Sequence, residues 1–347
     1  MIRIGLLVPY EGPVGIWAPS CESSAILAIA ELNNAAGLLG REVALVIADA
    51  GRTARSAVQA AADAVEIDAV DALVAMVPSY ARAPVAHYLK GRVPFVYTPQ
   101  FEGHENDEGV VTVGETSDEL LRPGIHWLSE HKSARRFFLI GNDYVWPRVT
   151  FVAARRIIRD MGGIVVGEKI LPFGFDDYDS VLAEIRKSRA DAVLPYFAGH
   201  EGIVFNRAFA ESGLARHMLR FTSAIDETIL YALGPEATEN LYVTSAYFAA
   251  LRSRNNDRFL EDYHDAFGAT PPPANGFGQS CYEGVHCFAS LVRSAGSLRV
   301  ADLKRAVGRT VQDRTARGFD AEAAAGAARP IHFAKVDGCD FNVLRLM

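Results

Sequence analysis

Hydroxyl and aromatic side chains recur in this 347-residue chain at one kind of place, directly after short apolar runs rich in branched residues. Pro78-Ser79-Tyr80 follows the run 72–77, and Tyr97-Thr98-Pro99 ends the run 93–98. Gly141-Asn142-Asp143-Tyr144-Val145-Trp146 follows 136–141, Tyr196-Phe197-Ala198-Gly199 follows 192–196, and Thr222-Ser223-Ala224 follows 219–222. Lys and Arg are missing from these segments, and His comes only at position 200, just after the fourth. A few placed hydroxyls on an apolar, aromatic lining suit one small, mostly neutral polar molecule. Glu11, after the first run, and Glu227, after the last, can receive an ammonium or amide N–H, or can be plain surface acids.

Each candidate has a simpler reading. Ser79 and Ser223 are equally placed to cap the helices that follow, as Ser does readily. Tyr97 and Tyr144 fit a cleft wall or a core, and Trp146 fits packing or gating. Asp143 reads as a turn residue. Motifs for catalysis are missing: the chain has no G-x-S-x-G elbow, no H-E-x-x-H and no G-x-x-x-x-G-K-[ST] loop. Gly276-x-Gly278-x-x-Cys281 lacks the third glycine and follows the proline-rich stretch 270–273, so it is no dinucleotide fingerprint. Cys281, Glu283, His286 and Cys287 imitate a metal set, but they share one helical pattern and the adjacent pair points apart. The expectation is a binding protein without cofactor or metal. A small-amide hydrolase is the weaker alternative, resting only on Ser, Tyr and Asp near a cleft.

The elements that must position these residues alternate. Buried runs at 2–8, 42–49, 72–77, 93–98 and 110–113 are separated by helical patterns at 23–34, 56–67 and 81–89. A second cycle has runs at 136–141, 164–171, 192–196, 219–222 and 241–246. Its helical patterns lie at 117–132, 148–161, 178–188, 201–212 and 227–233, the first capped at Ser117. Short buried strands separated by helices mean βαβ units on parallel sheets. Three further helical patterns follow at 255–267, 280–294 and 300–308, then a hairpin, 331–336 and 341–346, turning at Asp337-Gly338. Residues 321–328 read as a loop or a short helical turn.

The fold class expected is therefore α/β, with two doubly wound, Rossmann-like parallel-sheet lobes. Helices that bring no new strand must pack back on the first sheet. The division expected is 1–118 with 248–315, and 119–247 with 316–347, joined by a multi-segment hinge that suits closure on a ligand. Length and composition agree: half the residues are hydrophobic and 22% are charged. A net charge of −7 argues against nucleic acid as a partner. No stretch is long and apolar enough for a bilayer, and the first eight residues read as a strand rather than an export signal. That reading favours the cytoplasm if Met1 is native. The periplasm is the alternative if a signal is absent from this chain. The four cysteines, Cys21, Cys281, Cys287 and Cys339, are expected as free thiols.

Several stretches carry a family likeness: Ile4-Gly5-Leu6-Leu7, Glu31-Leu32-Asn33 with Gly37 and Gly40, and Tyr97 through Phe101-Glu102-Gly103. Gly141 through Arg148 is the most specific, followed by Gly162-Gly163 and Ala190-Asp191-Ala192-Val193. To about residue 300 the chain resembles type I periplasmic binding proteins of the leucine/isoleucine/valine-binding group. Within it, the chain is most similar to the branch with the amide sensor AmiC and the urea and short-chain amide receptors of ABC transporters. That resemblance implies ligand contacts at Ser79, at 97–99, at Tyr144 and at Ser223. It also implies one of two partners: an ABC permease, or a cytoplasmic antiterminator-type regulator of amidase expression. A homodimer stays open. The chain departs from the branch at Val77-Pro78, at Thr98-Pro99 and at Phe197, and after Gly308 it is short. The ligand expected is an amide, urea or an amino acid.

Overall fold

The computed structural model describes residues 1–309, 311–312, 323–324 and 330–346. The chain runs β1 (Ile2–Val8), α1 (Ala18–Asn34), β2 (Val43–Asp49), α2 (Ala54–Glu66), β3 (Ala72–Ala75), α3 (Ser79–Leu89), β4 (Phe95–Tyr97), β5 (Val110–Thr112). It continues α4 (Ser117–His131), β6 (Arg136–Asn142), α5 (Val145–Asp160), β7 (Ile164–Leu171), α6 (Tyr178–Ser188), β8 (Ala192–Tyr196), α7 (His200–Glu211), β9 (Leu219–Thr222), α8 (Glu227–Leu233), β10 (Leu241–Ser245). It ends α9 (Arg254–Phe267), α10 (Gly276–Ala295), α11 (Val300–Ala306), β11 (Val311–Gln312), β12 (Ala323–Ala324), β13 (His332–Asp337), β14 (Asp340–Leu346). Two compact units result: Met1–Glu115 with Leu251–Arg329, and Thr116–Ala250 with Pro330–Met347.

The first unit is a parallel sheet in the order β2-β1-β3-β4-β5. Leu7, Leu73, Ala75, Val77, Phe95 and Tyr97 pack with apolar residues of α2 and α3. On the other face Gly284 of α10 lets that helix reach Thr98, Val74 and Val96, the first of which an added Cβ would meet at 2.7 Å. A buried contact, His286 Nε2 to Glu31 Oε2 at 3.0 Å, joins α10 to α1, and the Tyr282 hydroxyl donates to the same carboxylate. Cys281 lies 3.6 Å from the Thr98 hydroxyl. Among the described residues no three His, Cys, Asp or Glu are grouped to hold a metal ion. Cys21, Cys281, Cys287 and Cys339 are free thiols.

The second unit is a seven-stranded sheet, β14-β13-β10-β9-β8-β6-β7, parallel except for the C-terminal hairpin that adds to β10. Alternation along β6 divides its two faces. Phe137 and Leu139 join the cluster under α4 and α5, while Phe138 and Ile140 join the one under α6 and α7. Both units are thus doubly wound α/β sheets. No helix among the described residues is long and apolar enough to cross a membrane.

Local signals differ from the sequence reading in instructive places. The cap of α4 is Thr116, not Ser117: Thr116 Oγ1 accepts from Glu119 N, and the Glu119 carboxylate accepts from Thr116 N at 2.7 Å. Ser117 instead turns inward to Thr150, 2.8 Å away. α10 starts at Gly276, four residues early, because Asn275 accepts from Gly278 N at 2.8 Å. The hairpin turns on Gly338 and Cys339, one residue later than expected, since Asp337 still pairs with Asp340 and Gly338 takes φ 61°. Within 321–328, Ala323–Ala324 is a strand paired with β11, and the rest lies outside the described residues.

Losing a side-chain N-cap bond costs a helix about 1 kcal/mol. Thr116→Ala should therefore lower unfolding stability by that order in urea titration. Ser117→Gly should not mimic it through a lost cap bond, since Ser117 supplies none.

Candidate functional site

Parallel strands end together, and ligands of such sheets bind beyond their carboxyl ends. In the first unit, β1 exits into Tyr10 and Glu11. Tyr10 gives its hydroxyl to Glu22, and burial with that bond pushes the phenol above its ordinary range. Glu11 pairs with Arg52 at 3.0 Å, with both side chains more than half exposed. It is a solvated surface acid in an exposed pair.

After β3, Pro78 is the N-cap of α3 and Ser79 the first helical residue, so Ser79 does not cap. It is buried, beside the Tyr97 phenol. Tyr80 is half-buried and gives its hydroxyl to Arg52 O at 3.1 Å. After β4, Tyr97 is fully buried in the core and donates to Val77 O at 2.9 Å. Burial holds its phenol above the ordinary range. Thr98, also fully buried, donates to Ala75 O at 3.1 Å. Tyr97 is therefore a core residue rather than a wall. Pro99 is buried against Gly114, where an added Cβ would stand 1.9 Å from Pro99 O.

One group here went unnoticed in the sequence. Arg82, three residues beyond Ser79 in α3, is buried between Glu102, at 2.6 Å, and Glu105. The acidic stretch 104–108, whose composition reads as a solvated loop, thus holds a carboxylate whose side chain is only 9% exposed.

In the second unit, Asn142 ends β6 fully buried. Its Oδ1 accepts from Ala198 N at 2.8 Å and its Nδ2 donates to Glu201 Oε2 at 3.1 Å, while Glu201 Oε1 accepts from Gly174 N at 2.9 Å. Two side chains thereby fix the segments after β6, β7 and β8. Gly199, between β8 and α7, sits at φ 50°, ψ −118°, a conformation that needs glycine. Exposed Asp143 pairs with Arg148 at 2.6 Å.

Tyr144 is half-buried at the N-cap of α5, with its ring 5.5 Å from Phe173 and 6.1 Å from Trp146. Trp146 is a core residue, edge-on to Tyr196 at 5.3 Å, so packing rather than gating is its position. Phe197 likewise stacks on Phe205 at 4.8 Å inside the other core cluster. Tyr196 is buried, which pushes its phenol upward, and the Ser223 hydroxyl beside it moderates the effect.

The exit of β9 holds a strongly perturbed carboxyl. Asp226, not Ser223, caps α8, accepting from Ile229 N at 3.1 Å. Glu227 opens the helix and is 4% exposed. Its Oε1 accepts from Ala249 N at 2.6 Å, and its Oε2 is buried without a hydrogen-bond partner among the described residues. Burial, with Asp226 next to it, pushes the carboxyl up to about 8, against the opposing pull of the Ala249 N–H. With its pKa raised this far, the group is mostly a neutral acid at neutral pH.

A strand-exit set of this kind on two doubly wound units is the mark of a bilobed binding protein. The chain belongs to the periplasmic binding protein family, whose model matches residues 1–340. Its relatives include the Leu/Ile/Val-binding protein BraC3 of Rhizobium johnstonii, 25% identical over 87% of this chain and 81% of that one. Another is the leucine-, isoleucine-, valine-, threonine- and alanine-binding protein of Pseudomonas aeruginosa, 23% identical over 88% of this chain and 82% of that one. In fold the chain is similar to the leucine-binding protein LivK of Thermotoga maritima, with TM-score 0.84 and 17% identity over 100% of this chain and 99% of that one. It is also similar to a Rhodopseudomonas palustris solute-binding protein in complex with benzoate, with TM-score 0.83 and 18% identity over 99% and 96%. None of these singles out the amide-binding branch that the motifs resemble.

The Glu227 shift has a defined sign. An acid whose folded pKa is raised contributes stability that is full below its unfolded value and is lost as pH rises through the folded one. Between the ordinary carboxylate range and about 8, the unliganded chain should therefore lose stability with rising pH on this account. Glu227→Gln should match the parent near pH 5 and gain on it at up to about 1.4 kcal/mol per pH unit above that. Parallel urea-derived profiles for the two proteins would contradict the assignment.

Proposed function

We propose that this chain is the substrate receptor of an ABC importer for a small α-amino acid with an apolar side chain, working outside the cytoplasmic membrane. The observation that carries the reading is Glu227, a buried carboxyl with one oxygen that lacks a hydrogen-bond partner among the described residues. A ligand ammonium supplies the missing partner and the charge that returns Glu227 to its ionised form. The proposed contacts are Ser79 and Pro99 in the first unit, and Tyr144, Ser223 and Glu227 in the second. Tyr97, Thr98, Trp146 and Phe197 shape those positions from the core, and Tyr80 supports the turn at Arg52. The names of the Rhizobium and Pseudomonas relatives, which bind branched-chain amino acids, support this choice of ligand.

One observation favours a second reading. A neutral Glu227 both donates and accepts, which suits the N–H and C=O of an amide or urea. Proton balance separates the two. An ammonium must expel the Glu227 proton, whereas an amide binds the group as it stands. A benzoate-type ligand accepts from the neutral Glu227 O–H but brings neither an ammonium nor an N–H to its other oxygen.

L-leucine, L-isoleucine, acetamide, urea and benzoate should be compared by thermal unfolding. A true ligand at a hundredfold excess over its Kd adds about 2.7 kcal/mol. The expected result is stabilisation by an amino acid. Calorimetry at pH 7 in buffers of different ionisation enthalpy should then show proton release, with affinity rising up to about pH 8 and the release lost in Glu227→Gln. Stabilisation by amides without proton release would favour the second reading. Stabilisation by benzoate alone would overturn both.

A further inference from the structure

We propose that Arg82 is a positioning residue: it fixes the exit of β4 against the first turn of α3 and so presets the ligand-contacting edge of the first unit. The inference rests on the amino-acid reading above. Arg82 lies just under one helical turn beyond Ser79. Its side chain is 9% exposed, with one Nη 2.6 Å from Glu102 and the other on Glu105. Its guanidinium lies 5.6 Å from the Tyr97 ring centre and 5.3 Å from that of Phe101. A single cation therefore touches both ends of the segment 97–105, which carries Thr98 and Pro99.

That segment needs such a tie. From Thr98 to Gly109 the backbone forms neither helix nor strand ladder, only a single bridge at Phe101. Other anchors among the described residues include Thr98 on Ala75 and Phe101 N on Glu115 O at 2.9 Å. The device is one of placement more than of stability. Desolvating three charges offsets much of their attraction, and an apolar or neutral replacement is often as stable. What a replacement loses is the planar fork that meets two carboxylates while lying over two rings, a geometry that a lysine ammonium does not reproduce.

Two full-length variants test this: Arg82→Lys, and the neutral triple Arg82→Met/Glu102→Gln/Glu105→Gln. The first readout is hydrogen exchange in 97–105 without ligand; the second is L-leucine affinity. Both variants should exchange about tenfold faster in 97–105, with α2 and β6 unchanged. Both should bind L-leucine at least about tenfold more weakly, and the triple should do so even where its Tm equals the parent's. A purely structural role predicts that affinity returns with Tm. A triple that binds like the parent, or unaltered exchange in 97–105, overturns the proposal. A parent chain that ignores L-leucine defeats the amino-acid reading, and the exchange measurement still decides whether Arg82 fixes the segment.

Discussion

Where a parallel sheet ends, the last carbonyls of its strands lose their neighbours, and in a buried setting each must find another donor. The strand exits of both units are organised by that demand. Thr98 Oγ1 donates to Ala75 O at the end of the adjoining strand in the first unit, and Thr222 Oγ1 to Pro195 O in the second, at 2.6 Å. Tyr97 serves Val77 O, and Asn142 serves the amide of Ala198. Half of the hydroxyls and amides that look available for a ligand are therefore committed to the scaffold. Ser79 and Ser223 stand beside the buried phenols of Tyr97 and Tyr196, so their positions depend on the same scaffold.

Glu227 stands out because its environment is incomplete. Buried carboxyls are costly unless paired, and the usual outcome is protonation. Here Ala249 N satisfies one oxygen and Asp226 adds repulsion to desolvation. On the proposed reading, this group exchanges its proton for the ligand's ammonium. Affinity and proton balance then become one quantity, which is why the ligand's charge can be read from linkage.

The architecture was legible in the sequence, because fully buried strands such as Ile2–Val8 and Ala192–Tyr196 must be covered on both faces and the intervening helices are long enough to do so. Helix starts were less so: a cap is a local bond, and Thr116, Asp226 and Asn275 outcompeted the residues that pattern suggested. For the site, position was readable and orientation was not. Tyr97, Trp146 and Phe197 stand at the expected strand exits, yet their rings turn into the core, a choice that rests on neighbours far apart in sequence such as Phe205 and Tyr196. Arg82 left no signal at all, since its carboxylates lie twenty or more residues away in a loop that reads as solvated.

The most direct test is a carbon NMR titration of the Glu227 side-chain carboxyl, with and without L-leucine. In the unliganded chain it should titrate near 8, and with L-leucine bound it should stay ionised through the same range. A carboxyl already ionised at pH 6 without ligand, or one whose titration ignores saturating L-leucine, would contradict the account.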